Sequence, residues 1–499
     1  MYKRNHYITI LSDRPALLIL SVGLIIRLIA SWQIPPGFDE AYYGVYAQNP
    51  TWGYFDHPPM VAFTAGSGLW LTGAYTYLTL RLGALLLFLL SSIVLYESIL
   101  LLFDQRAARI GLILFHTIPY FFIGMGAFVI PDNALGFFWL LFLYSLIRLR
   151  QSSDERWFLL SGTALGLALL SKYHAVFLLA GLGILLLFYN DWRKYWRSPW
   201  VYFAAVLSVL LFLPNILWNA ENGWISYLYQ FSKGGSNGLR ISLDKFFQGI
   251  GVQAGYLLPW YFILLLMAGY RPLRLKQNDL YFLLPFIWLP ILVFTLIGAT
   301  RTILPHWPMP GYLGAIILLA GWMAQWKEKK AGNYLKFSAV FMVSLLVFVL
   351  LQSEFGVVNM ERKKDPTLNG FAWDKLADHL EKEGYLNEPN LFLFTHKWFL
   401  AGELDFALQG QWEVTVLNRY HPQGFAFWSH MDSLLGRDAL FITSEFFPRN
   451  AAKSYKAYFE EIFPLEPFSV QRNGKSGKTF YLWYCTNMKK RFPWPYGNR

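Results

Sequence analysis

Apolar residues in this chain come in runs close to the length of a bilayer crossing, parted by short polar loops, and the pattern then stops. Eleven runs can be read, near 15–34, 84–103, 110–129, 134–149, 157–171, 175–190, 199–217, 251–269, 280–299, 307–325 and 337–352. A helix needs about 20 apolar residues to cross the hydrocarbon, so the runs near 16 residues fall short of that length. Beyond residue 353 charged and polar residues occur throughout. Short β-like runs appear there at Asn390 to Phe394 and Glu413 to Leu417, with a helical stretch from Trp373 to Glu383. The pattern predicts an α-helical polytopic membrane domain over 1–352, with about 11 transmembrane helices, and a small C-terminal α/β soluble domain over 353–499.

Composition supports that division. Of 499 residues, 55% are apolar and 15% are charged, against about a quarter charged in a soluble chain. Aromatics reach 19%, and such rings suit the two membrane interfaces. A net charge of +12 would suit nucleic acid, but the basic residues sit mostly in short loops between apolar runs. With a cytoplasmic N-terminus, the inner loops hold 18 Lys or Arg and the outer side 6: Arg81, Lys172, Lys233, Arg240, Lys245 and Arg301. This is the positive-inside asymmetry, and an odd span count then places 353–499 outside the cytoplasm. Lys3, Arg4 and Arg14 precede the first run and no small-residue cleavage site follows it, so it reads as a retained anchor. The single Cys485 excludes an intramolecular disulfide and any thiolate metal site needing two cysteines.

The densest chemistry lies in the first outside loop, about 34–83. It carries Gly37-Phe38-Asp39-Glu40-Ala41-Tyr42-Tyr43 and then Trp52-Gly53-Tyr54-Phe55-Asp56-His57-Pro58-Pro59. Three carboxylates and a histidine gather there, and no Lys or Arg follows until Arg81. Carboxylates beside a membrane are costly unless they face water, a cation or a reacting group. Pro58-Pro59 fixes the backbone after the Asp-His pair. A plain solvated loop whose acids oppose the inward charge is the alternative.

The pattern Asp39-Glu40-Ala41-Tyr42-Tyr43, with Tyr54-Phe55-Asp56-His57-Pro58-Pro59, resembles the first-loop signature of glycosyltransferase family 39, the protein-O-mannosyltransferase-like GT-C glycosyltransferases. Further matches follow in order: Pro131-Asp132-Asn133, Leu170-Ser171-Lys172-Tyr173, Pro214-Asn215-Ile216-Leu217-Trp218-Asn219, His306-Trp307-Pro308, and a segment from Thr395 to Trp428 like that of bacterial members related to lipid A aminoarabinose and galactosamine transferases. The resemblance implies inverting transfer of a sugar from a polyprenyl-phosphate donor to a lipid A, glycan or protein acceptor, in a bacterial inner membrane with the active site periplasmic. It implies catalytic roles for Asp39 as base, with Glu40 and Asp56. It implies substrate binding by His57, Asp132, Lys172, Tyr173, Arg301 and His306. Aminoarabinose-transferring relatives carry an acidic-Lys pair where this chain has Asp56-His57. No cofactor is implied with certainty; a divalent metal held by Asp39, Asp56 and Asp132 is the one candidate, and the requirement differs between branches.

The bottom-up chemistry agrees with those roles. Inverting transfer needs a base for the acceptor proton and cations where charge develops on the leaving phosphate. Each residue also has a plainer reading: Lys172 snorkelling from a span end, Asp132 capping the fourth span, Arg301 and His306 as interface residues. Arg27 and Glu97 lie inside spans and need partners. Two other classes compete: a transporter or flippase for a lipid-linked glycan, and a non-catalytic envelope scaffold. A transporter would favour duplicated halves with matching broken spans, whereas here the acids gather at one outside loop, the span count is odd and a large domain lies outside; a scaffold would not depend on Asp39.

Overall fold

The computed structural model describes residues 9–235, 241–301 and 303–496. Lys3, Arg4 and Arg240 of the charge count therefore lie outside the described residues. The chain packs as two compact units. The first comprises residues up to Ile29, His57–Thr64 and Ala84–Ser344. The second comprises Ala30–Asp56, Ala65–Gly83 and the chain from Leu345 onward. Most of the first outside loop thus packs with the tail, whereas the sequence reading grouped it with the membrane domain.

The first unit is helical and membrane-spanning. Among the described residues six helices are long and apolar enough to cross a bilayer: Arg14–Gln33, Tyr77–Leu102, Asp132–Ser152, Pro199–Glu221, Asn278–Gly298 and Glu328–Phe355. Two sharply bent pairs, Tyr173–Phe188 with Asn190–Arg197 and Leu243–Leu257 with Pro259–Leu275, raise the number to as many as eight. The expected count of about eleven is not reached by length and apolarity. The runs at 157–171 and 307–325 form the shorter apolar helices Trp157–Ser171 and Met309–Met323. The run at 110–129 is split: a helix ends at Thr117, and a π-helical turn covers Tyr120–Gly124.

Small residues set the closest helix approach. A Cβ on Gly162 would lie 2.4 Å from the Ala204 carbonyl oxygen, and one on Gly166 would lie 2.8 Å from the Leu211 Cβ. Helices Trp157–Ser171 and Pro199–Glu221 therefore pack backbone against backbone, as small-xxx-small spans do. The intramembrane charges left open by the sequence find neighbours. The Glu97 carboxylate accepts from the Ile10 amide at 2.9 Å. The Arg27 guanidinium lies 4.0 Å from the Phe88 ring centroid and 5.1 Å from that of Phe122, a cation–π stack that partly replaces water.

The tail of the second unit is α/β, as the alternating short elements predict. Its strands are β1 (Leu391–Thr395), β2 (Val414–Val416), β3 (Asp438–Ser444), β4 (Phe459–Pro464), β5 (Phe468–Arg472) and β6 (Lys475–Met488). The sheet order is β2-β1-β3-β6-β4, with β5 also on β6. The first three strands pair in parallel, and β6 runs antiparallel to β3, β4 and β5. Strand β1 is buried along its whole length, as a parallel central strand should be. The predicted helix appears as Trp373–Lys382, burying Trp373, Leu376 and Leu380. Helix Trp398–Ala407 follows β1 and packs on helix Phe38–Gln48 of the first loop. A Cβ on Gly402 would come 2.9 Å from the Tyr42 backbone, so only glycine permits this approach.

Candidate active site

In the second unit, Pro35-Pro36-Gly37 links the first helix to helix Phe38–Gln48, which begins at an extended Gly37 with Asp39 and Glu40 in its first turn. Acids there suit the positive end of the helix dipole. The two neighbours have different environments. Asp39 is exposed, whereas Glu40 is buried. Both Glu40 oxygens accept from Arg81, Nε to Oε1 at 2.8 Å and Nη2 to Oε2 at 2.6 Å, and Oε2 also accepts from the Gly37 amide at 3.2 Å. The rest of the Arg81 fork donates to the carbonyls of Ser31, Ile34 and Pro35 at 3.1, 2.6 and 3.3 Å. This arrangement makes Glu40 a brace of the loop and leaves Asp39 as the accessible acid of the pair.

Asp56 lies in an aromatic nest. Its Oδ1 accepts from the Tyr46 hydroxyl, and the Tyr46 ring stacks on Tyr54 with centroids 3.8 Å apart. The Tyr54 hydroxyl donates to the carbonyls of Tyr46 or Asn49 and accepts from the Thr51 amide. Trp428 closes the nest edge-on to Tyr46 and Tyr54 at 5.5 and 6.3 Å. The Tyr42 hydroxyl accepts from the Gly424 amide at 2.7 Å. The Thr395 to Trp428 segment thus holds the first loop in place. Burial and then Asp56 raise the Tyr46 hydroxyl well above its ordinary pKa, so it stays a hydrogen-bond donor to the carboxylate. Two acids that the sequence reading missed lie on helix Trp398–Ala407. Asp405 is buried, accepts from Gln48 Nε2 at 2.5 Å and is pushed by burial up to about 7. Glu403 is driven well above the carboxylate range by burial, with Glu40 adding to the effect.

The first unit holds the other group of residues. Asp132 and Lys172 are both buried and form an ion pair, Nζ to Oδ2 at 2.6 Å. Lys172 therefore does not snorkel. Asp132 makes no side-chain cap bond at its helix start, so it is not the simple cap either. His306 and Tyr120 are near enough to interact with this carboxylate. Asn133 ties the preceding loop, Oδ1 accepting from Ile130 N and Nδ2 donating to the Met125 and Phe128 carbonyls. The Tyr173 hydroxyl shares a hydrogen bond with Ser226 Oγ at 2.8 Å, and Tyr173 meets Tyr227 edge-on. The Tyr227 hydroxyl donates to Asn215 Oδ1 at 3.0 Å, which brings the Pro214 to Asn219 motif beside the Lys172-Tyr173 motif. His57 and Arg301 are half-buried. Among the described residues no three His, Cys, Asp or Glu side chains form a group that could hold a metal ion. Asp56 Oδ1 accepts from Tyr46, and Asp132 Oδ2 is paired with Lys172.

The fold is that of a GT-C membrane glycosyltransferase. Its overall match is to ArnT from Cupriavidus metallidurans in the apo state, with a TM-score of 0.63 at 15% identity, covering 93% of this chain and 97% of that one. The same protein bound to undecaprenyl phosphate matches with a TM-score of 0.60. Residues 56–218 match the family model described as dolichyl-phosphate-mannose-protein mannosyltransferase. The chain is 26% identical over 293 residues to the lipid A galacturonosyltransferase RgtD of Rhizobium johnstonii, across 58% of this chain and 61% of that protein. It is 26% identical over 216 residues to the lipopolysaccharide core galacturonosyltransferase RgtA of the same organism, across 41% and 42%. The chain thus matches less than two thirds of the length of either curated relative. These comparisons bear out the resemblance carried by the first-loop motif, and with the apolar helices they establish a multi-span membrane protein.

Proposed function

We propose that this chain transfers a sugar, with inversion, from a polyprenyl-phosphate donor to a lipid, glycan or protein acceptor on the periplasmic side of a bacterial inner membrane. The observation that carries the reading is the similarity to two galacturonosyltransferases acting on lipid A and lipopolysaccharide core, joined to a fold whose solved example holds undecaprenyl phosphate. A lipid or lipopolysaccharide acceptor is therefore favoured over protein. Asp39, the exposed acid of the first loop, takes the acceptor proton as its oxygen attacks the anomeric carbon. The bond to the donor phosphate breaks as the new glycosidic bond forms, and the phosphate leaves as an anion. Lys172, Arg301 and His57 are the cationic candidates for that charge, with His306 and Tyr173 in support. Asp56, held by Tyr46, positions the loop or the acceptor. Glu40 is reassigned from catalysis to bracing.

Purified protein in detergent tests the reading. Wild type should release polyprenyl phosphate from the donor only when acceptor is present. Asp39→Asn should bind donor normally yet transfer about 10²–10⁴-fold more slowly, the range for lost general-base assistance. Transfer by Asp39→Asn at the wild-type rate would remove Asp39 as the base. The periplasmic assignment has its own test: a phosphatase fused at residue 400 should be active, and a silent fusion there overturns it.

A further inference from the structure

The tail carries a cleft of about 520 Å³ that the reaction chemistry leaves unused. Three chain segments build it: the end of β2 through Pro422, the stretch from Ala426 to Asp432, and the terminal run Arg491 to Pro495. Its size falls within the range of small-ligand sites. Pro422, Pro493 and Pro495 stiffen two of the walls.

One aromatic ring in the lining is held rigidly. Trp494 meets Phe427 at 5.2 Å and 82°, and Tyr496 at 5.7 Å and 89°. Around it the cleft offers Ser429, His430, Asp432 and Arg491. Asp432 and Arg491 are ion-paired and about two-thirds exposed. An exposed pair of this kind contributes little to stability, so its oxygens and N–H groups can be shared with a ligand at small cost. A fixed indole beside a carboxylate, a guanidinium and an imidazole matches the two-sided surface of a sugar ring, whose C–H face is apolar and whose edge carries hydroxyls.

The cleft is also joined to the first loop within the same unit. Tyr496 stacks on Phe55, the neighbour of Asp56, with centroids 4.5 Å apart and planes at 22°. Its hydroxyl donates to the Gln423 carbonyl at 3.1 Å. The cleft wall and the acid-bearing turn are therefore one packed surface.

We propose that this cleft is a carbohydrate-binding subsite, with one sugar ring on Trp494 and its hydroxyls on Asp432, Arg491 and His430, and that it holds the glycan of the acceptor at a distance from the reacting group. The identification of that glycan with the acceptor rests on the transferase reading; the binding of carbohydrate does not. The test uses the full chain in nanodiscs, titrated with the acyl-free oligosaccharide of a lipopolysaccharide by calorimetry, and then assayed for transfer to the intact lipid.

Trp494→Ala should weaken oligosaccharide binding about tenfold, as loss of a central aromatic anchor does. Arg491→Gln, a surface change with little risk to folding, should weaken it in the same direction, and Trp494→Phe should retain most of it. In the transfer assay the variants should raise the acceptor KM by more than they lower kcat. Wild-type affinity in both Trp494→Ala and Arg491→Gln, or no binding of the oligosaccharide by wild type, overturns the subsite. Binding that depends on Trp494 in a protein that never consumes donor would sink the transferase reading and leave the subsite standing.

Discussion

Glu40 sits beside the proposed base, and the structure separates the two by an experiment. Changing Glu40 removes the carboxylate that takes two hydrogen bonds from Arg81, whose guanidinium is fully buried and also donates to three backbone carbonyls. Those carbonyls carry partial charge and cannot replace a full counter-charge. Breaking one side of a buried ion pair costs about 3–5 kcal/mol, because the remaining charge stays desolvated. Glu40→Gln keeps the size but turns an N–H group toward one arm of the Arg81 fork. The apparent melting temperature in detergent should fall by about 3–5 °C, and activity should fall with the folded fraction. Arg81→Met alone should be similarly harmful, since it strands the Glu40 carboxylate. The Glu40→Leu, Arg81→Met double variant should recover much of the loss, because neither charge is then left alone. Melting curves for the four proteins, with single-turnover transfer at a temperature where each is folded, decide the matter. A Glu40→Gln protein that melts like wild type but transfers hundreds of times more slowly refutes the bracing role and returns Glu40 to catalysis.

Two further outcomes follow from buried charges. Asp405 is held up at about 7 by burial, so between about pH 4 and 7 the folded state keeps a proton that the unfolded state has lost, and stability falls as pH rises through that window, by up to about 4 kcal/mol. Asp405→Asn, whose amide oxygen still accepts from Gln48, should flatten this dependence and melt higher than wild type at pH 8; parallel melting profiles from pH 4 to 8 would refute it. Lys172→Ala should weaken donor binding, since a charge-assisted hydrogen bond contributes about 1.5–3 kcal/mol, and it also strands the buried Asp132 carboxylate, so Lys172→Ala with Asp132→Asn should recover stability without recovering donor affinity. Unchanged donor affinity in both Lys172→Ala and Arg301→Ala would pass the phosphate to backbone donors.

What the sequence makes legible here depends on how local the cause is. Long spans such as Arg14–Gln33 and Pro199–Glu221 are readable because hydrocarbon demands length and apolarity from one continuous segment. The break in the stretch at 110–129 carries one local mark, Pro119, which disfavours helix at Ile118 before it, but hydropathy alone runs straight through it and the π-helical turn at Tyr120–Gly124 leaves no such sign. The tail's strands and its helix from Trp373 are legible in kind, yet the packing of the first loop onto that tail is not: it depends on Gly402 admitting the Tyr42 backbone, more than 350 residues apart in the chain. Burial of Asp405 and Glu403 follows from that approach, and a helix reading Gly-Glu-Leu-Asp in a polar tail gives no sign of it. The adjacent pair Asp39-Glu40 shows the same limit within one turn. Successive helical residues point about 100° apart, so one acid turns inward to Arg81 and its neighbour is left accessible. Sequence marks both as chemistry-bearing, but only the position of Arg81, 41 residues further on, distinguishes the brace from the candidate base.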